Sequence, residues 1–159
     1  MNAHIRAPAL DDANAICQVI RRSITECCAA DHKNDPELIA AWLQNKTPAK
    51  VRGWLQIEGA LPVVAEIQGA VVGFALASSL GEVMLCYLVT EVRFTGVGNA
   101  MLSAIERKAA AVGIGTLHLE STHTARDFYL RYGFTLTGPA QLAFGIEAYP
   151  MSKSVKREQ

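Results

Sequence analysis

The chain has 159 residues, of which 50% are hydrophobic and 19% charged, with 15 Lys plus Arg balanced by 15 Asp plus Glu. That length and composition predict one domain over residues 1–159 with a sizeable core, and they exclude a disordered chain. Zero net charge argues against a strongly basic nucleic-acid module, and no apolar run approaches the roughly 18 residues of a membrane span.

His4 to Ala7 reads as a short strand that Pro8 ends, and Asp11 or Asp12 can cap the helix that follows. Ile16, Val19, Ile20, Ser23 and Cys27 make a mostly apolar stripe on that helix. Residues 30 to 36, Ala-Asp-His-Lys-Asn-Asp-Pro, have loop chemistry throughout. A helix over Pro36 to Leu43 and a shorter one from Thr47-Pro48 towards Trp54 come next, with Trp42 and Trp54 as anchors. Pro62 to Ile67 and Ala70 to Ala77 read as a hairpin about Gln68-Gly69. Gly81 breaks the run, and Glu82 to Val89 is a third apolar strand. The helix after it presents Met101, Ile105, Ala109 and Val112 on one face and closes at Gly113 and Gly115. Thr116 to Glu120 is a strand, Ser121 and Thr122 are capping residues, and the next helix buries Ala125, Phe128, Tyr129 and Tyr132 before Gly133. Phe134 to Thr137 and Ile146 to Ser152 are the last strands, and the charged tail, 153–159, is expected to fray. Antiparallel strands feeding a strand-loop-helix-strand unit predict a mixed α/β (α+β) sheet.

Cys17, Cys27, Cys28 and Cys86 contain no CxxC pair, and the four histidines show no metal spacing, so no metal site is expected. Reduced thiols and an N-terminus without the order of a signal peptide predict a cytoplasmic protein.

The most informative stretch is the loop that leaves the third apolar strand. Gly96 and Gly98 let a backbone approach an anion closely, and the helix start behind them adds unpaired N–H groups and partial positive charge. Arg93 can add a countercharge. Such a loop suits a pyrophosphate, although two glycines alone can also make an ordinary turn. A third glycine is missing at Met101 and no βαβ unit precedes the loop, which disfavours a dinucleotide fold.

Arg93-x-x-Gly96-x-Gly98 resembles the (Gln/Arg)-x-x-Gly-x-(Gly/Ala) signature of the GNAT acetyltransferase superfamily. Ala125-x-x-Phe128-Tyr129-x-x-x-Gly133-Phe134 resembles a second segment of that family, and Ile5-Arg6-Ala7 with the aspartates after it resembles its opening strand and helix. The chain departs from the pattern at Leu88 (usually Val or Ile), Thr90 (often Pro) and Thr122 (often Asn).

The resemblance implies a central, mostly antiparallel twisted sheet of six to seven strands with four or so flanking helices. Strands 82–89 and 116–121 would splay apart to admit acetyl-CoA as co-substrate. Its pyrophosphate would meet the amides of Phe94, Thr95, Gly96, Val97, Gly98 and Asn99 beside Arg93 and Ala100. Its pantetheine would pair along Leu88 and Val89, near Thr122 and Phe128. Tyr129 would act as general acid, and Glu82 is the position at which some members place a general base, with Tyr87, His118, Glu120 and His123 as rivals. The acceptor would be an amine of a small molecule or peptide, with the segment 26–37 at its entrance. A homodimer is frequent in the family. The competing reading is a CoA-binding sensor without catalysis.

Overall fold

The fold comes from a computed structural model that describes residues 2–143 and 145–155. It opens with β1 (His4–Arg6), α1 (Ala13–Cys27), α2 (Ala29–His32), α3 (Pro36–Leu43) and α4 (Pro48–Leu55). Three antiparallel strands follow: β2 (Leu61–Ile67), β3 (Ala70–Ala77) and β4 (Val83–Leu88). The rest is α5 (Val97–Ala111), β5 (Thr116–Ser121), α6 (Arg126–Tyr132), β6 (Thr135–Leu136), β7 (Gln141–Ala143) and β8 (Ile146–Ser154).

The β2–β3 turn is tight because Gln68 and Gly69 both take positive φ, 51° and 81°, which matches the twist of the flanking strands. Side chains alternate across β2 and so face two different cores. On one face, Val64 with Phe74 and Leu76 meets Ile16, Ile20 and Ile24 of α1. On the other, Val63 and Ala65 with Ala75 meet Met101, Leu102 and Ile105 of α5.

The strands form two antiparallel sheets, β1-β2-β3-β4 and β5-β8-β6, with β7 paired to β8. They meet at one seam. Glu82 bridges His118 in parallel, and the His118 N–H donates to the Gly81 carbonyl at 2.9 Å. Gly81 makes the seam sterically feasible: it has φ +88°, and a Cβ there would stand 2.3 Å from the Thr116 carbonyl oxygen. Beyond the seam, among the described residues, no ladder joins β4 to β5, and the two strands open into the splay that the resemblance implies.

Several elements differ from expectation. Residues 29–32 form a turn of helix inside the segment read as loop, and β7 is additional, so the strands number eight and the helices six among the described residues. Val112 lies past the end of α5 and is 65% exposed, because the helix stops at Ala111 and Gly113 turns the chain. Lys153 and Ser154 do not fray: they pair with Leu117 and Thr116 in β8, and the Lys153 ammonium sits 3.1 Å from both carboxylate oxygens of buried Glu106. Residues 156–159 of the expected tail lie outside the described residues.

Candidate active site

A cleft of about 640 Å³ opens between the end of α1, β4, the start of α5, and α6. Its donor wall is built from backbone. The Val89 N–H donates to the Val72 carbonyl of β3 at 2.9 Å. In an antiparallel pair with Gly73 opposite Leu88, successive N–H groups alternate direction. The N–H groups of Leu88 and Cys86 therefore point away from β3 into the splay.

The chain leaves β4 through a tight turn at Thr90–Val92 and enters α5 through Gly96 at φ +91°. The first helical bond is from the Ala100 N–H to the Gly96 carbonyl, at 3.1 Å. The N–H groups of Val97, Gly98 and Asn99 thus lie ahead of the ladder, and no side chain caps them. Arg93 stands on the same wall with its guanidinium 4.9 Å from the Phe94 ring centroid. A Cβ on Gly98 would meet the Phe128 ring at 2.8 Å, so glycine here lets α6 close against the start of α5.

The opposite wall is carried by α6. The Thr122 hydroxyl accepts from the Ala125 N–H at 3.2 Å, ahead of the first turn of the helix. Tyr129, 6% exposed, packs against Phe128 and edge-on to Phe134. Its hydroxyl faces the Cys86 thiol; burial first and that thiol second hold the phenol well above its ordinary pKa. Burial pushes Cys86 to about 11, and burial with Asp31 nearby pushes Cys28 to about 12.

Of the residues expected at the site, Leu88, Arg93, Phe94, Gly96, Gly98, Asn99, Thr122, Phe128 and Tyr129 line this cleft. Val89, Thr95, Val97 and Ala100 belong to the same segment but do not line it: Val89 and Val97 are buried in the core, and the Thr95 hydroxyl closes the turn onto the Val92 carbonyl at 2.5 Å. Glu82 is set apart. It precedes β4 at the seam, with an exposed side chain, because its N–H and carbonyl are both taken up by Ser78. It does not line the cleft. His32, expected in an open polar loop, is fully buried. Sequence reasoning missed Ser23, Cys27, Cys28 and Thr124 on the wall. Their only signal was that α1 places Ser23 and Cys27 on one face.

Residues 28–155, which hold nearly all of this cleft, match the family model described as an acetyltransferase (GNAT) domain. The chain belongs to the GNAT acetyltransferase family. Solved structures show the same fold. A GCN5-related N-acetyltransferase from Rhodopseudomonas palustris superimposes with a TM-score of 0.85 at 24% identity, over 97% of this chain and 96% of that one. The PaiA N-acetyltransferase from Thermoplasma acidophilum, solved with coenzyme A, gives 0.84 at 19% identity over 97% and 99%. The ribosomal-protein-S18-alanine N-acetyltransferase from Escherichia coli gives 0.67 at 19% over 99% and 97%. Among the described residues of this acetyltransferase, no group of His, Cys, Asp and Glu could hold a metal ion, and no helix is long and apolar enough to cross a membrane.

Proposed function

We propose that the chain transfers an acetyl group from acetyl-CoA directly to a primary amine of a small molecule or peptide, with Tyr129 as general acid. The observation that carries this reading is the convergence of an open strand edge, an uncapped helix start and a buried phenol on one cleft.

Each part has a chemical use. The free N–H groups of Val97, Gly98 and Asn99, with Arg93, suit a pyrophosphate. The open edge of β4 can take up the pantetheine amides as if adding a strand. The Leu88 N–H, fixed in direction by the ladder to β3, can stabilise the acetyl oxygen as it gains charge.

A phenol keeps its proton at neutral pH, and burial of Tyr129 holds it more firmly still. In water a thiolate, with a conjugate pKa near 8.5, would be too weak a base to take it. Cys86 reports what the cleft does to sulfur: a thiol here is pushed to about 11. Burial raises the phenol as well as sulfur, so the shifts alone do not drive the transfer. What supports the acid role is that the Tyr129 hydroxyl faces the Cys86 thiol and can hand its proton to a leaving thiolate that burial leaves unsolvated. The acceptor amine, with a pKa of about 10.4 in water, must lose a proton before attack. Glu82, His118, Glu120 and His123 do not line the cleft, and Tyr87, which does, is held protonated by burial, so solvent is assigned that proton.

Calorimetric titration with acetyl-CoA, followed by thiol release across a panel of amines, tests the reading. Micromolar binding and amine-dependent thiol release are expected. Binding without release for any amine would favour a CoA sensor, and no binding would overturn the reading.

A further inference from the structure

The two sheets are joined by the isolated Glu82–His118 bridge just before β4, so among the described residues no backbone pairing fixes the width of the splay at its open end. Among the described residues, every hydrogen bond that joins residues 13–55 to residues 116–155 ends on one carboxylate, Asp31 of α2. Asp31 is 8% exposed. Its Oδ1 accepts from the His123 N–H at 2.7 Å, and its Oδ2 accepts from the Thr124 N–H at 3.3 Å and from the Thr124 hydroxyl. A carboxylate suits this place because three donors converge on it. A carboxamide would offer one oxygen and turn its own donors towards the other N–H.

The loop that Asp31 holds leads directly into α6, and Thr122, Thr124 and Ala125 of that loop line the cleft. Phe128 and Tyr129 follow within the first turn of α6. The arm behind Asp31 is itself anchored. His32 is fully buried, with Nε2 2.8 Å from the Ile24 carbonyl and Nδ1 accepting the Asn34 N–H at 3.0 Å. Since Nδ1 accepts, Nε2 must be the donor, and the ring pins α2 to the last turns of α1.

We infer that Asp31 is a positioning residue: it sets the width of the splay at the open end and thereby the place of Tyr129 relative to Cys86 and Leu88. This rests on the proposed role of Tyr129. Rigid placement matters because a shift of about 1 Å at a reacting group can cost on the order of a hundredfold in rate.

The test compares full-length wild type with D31A, D31N and Thr124→Val. Hydrogen exchange of the free proteins comes first. D31A should speed exchange of the α6 amides, 126–132, at least about tenfold while β2 and β3 stay unchanged. The D31N and Thr124→Val chains should show smaller gains in the same place, and they carry the test if D31A does not fold. Kinetics come second: kcat should fall roughly 10- to 100-fold in D31A, with the Kd of acetyl-CoA changed less than about threefold. Faster exchange spread over both sheets with kcat per folded molecule intact would make Asp31 merely structural and overturn the inference. So would unchanged exchange in α6. If wild type neither binds acetyl-CoA nor acetylates any amine, the functional reading falls, and the exchange comparison alone decides whether Asp31 holds α6.

Discussion

The two walls of the cleft are built from different materials. The donor wall, β4 through the start of α5, presents backbone N–H groups held by a strand ladder and a helix. The opposite wall, from α2 to α6 and expected to face the acceptor, is held by side chains: Asp31 on the 122–125 loop and His32 on α1, with Trp42 Nε1 donating across to the Tyr87 hydroxyl of β4 at 3.3 Å. Backbone makes a binding surface that tolerates many side chains. A wall tied by single carboxylates and rings can be retuned by single substitutions. Binding of the donor should therefore depend on the first wall, and turnover on the second.

The sharpest way to break this division is Tyr129→Phe. The ring and its packing remain, so the Kd for acetyl-CoA should change less than about threefold. Turnover should fall roughly 10²- to 10⁴-fold, the usual contribution of a positioned acid. Steady-state kinetics with any competent amine, beside calorimetry, check both halves. Equal loss of binding and turnover would mean that the phenol belongs to the donor wall after all.

The two glycines of the donor wall should separate next. At Gly98 a new Cβ would meet the Phe128 ring at 2.8 Å, so Gly98→Ala must push α6 outward or tilt the start of α5. A roughly tenfold or larger loss of CoA affinity is expected by calorimetry, with leucine worse than alanine. Gly96 differs: no protein atom lies within 4 Å of a Cβ there, and within the protein its φ of +91° is what resists a side chain. Gly96→Ala should cost about 1 kcal/mol of backbone strain. It should therefore lower the melting temperature by a few degrees and leave CoA affinity within about threefold. Equal binding losses at both positions would show that the helix start is adjustable rather than preformed.

The same contrast explains what could be read in the chain. The donor wall was legible because its signals are local: an apolar strand, glycines at fixed spacing and an apolar helix face within residues 82–109. The splay was expected only from the family resemblance, which sets that unit beside strand 116–121. The opposite wall was not legible. Residues 30–36 have loop chemistry whether they face water or, like Asp31, bind a loop 92 residues away. Cys27 and Cys28 look unrelated to the site in sequence and join Cys86 on one cleft only after α1 and β4 pack. Glu82 shows the opposite failure. It stands six residues before Leu88, where the family resemblance implies a base, but its side chain is exposed at the seam and does not line the cleft.

The thiols offer a finer probe of the wall's dielectric. With Cys86 pushed to about 11, only about one molecule in a thousand carries the thiolate at pH 8. Alkylation at Cys86, followed by mass spectrometry, should rise about tenfold per pH unit from 8 to 10. A plateau by pH 9 would mean that burial does not hold sulfur neutral in the cleft.

The smallest effect is expected at Glu82. Along a strand, six residues span roughly 20 Å, which is the path from Glu82 to Leu88. With the acetyl group at Leu88, as proposed, a carboxylate that far away would need a chain of water to reach the attacking amine. If solvent takes the proton instead, Glu82→Gln should leave kcat within about threefold. The pH profile sharpens the point. Without a positioned base, kcat/KM should rise tenfold per unit until it nears the pKa of the free amine, about 10.4 for a lysine-like acceptor. A bend near neutral pH that Glu82→Gln removes would require a base poised close to pH 7. It would place that base on the seam, and turnover would then depend on the joint between the two sheets as well as on the wall that carries Tyr129.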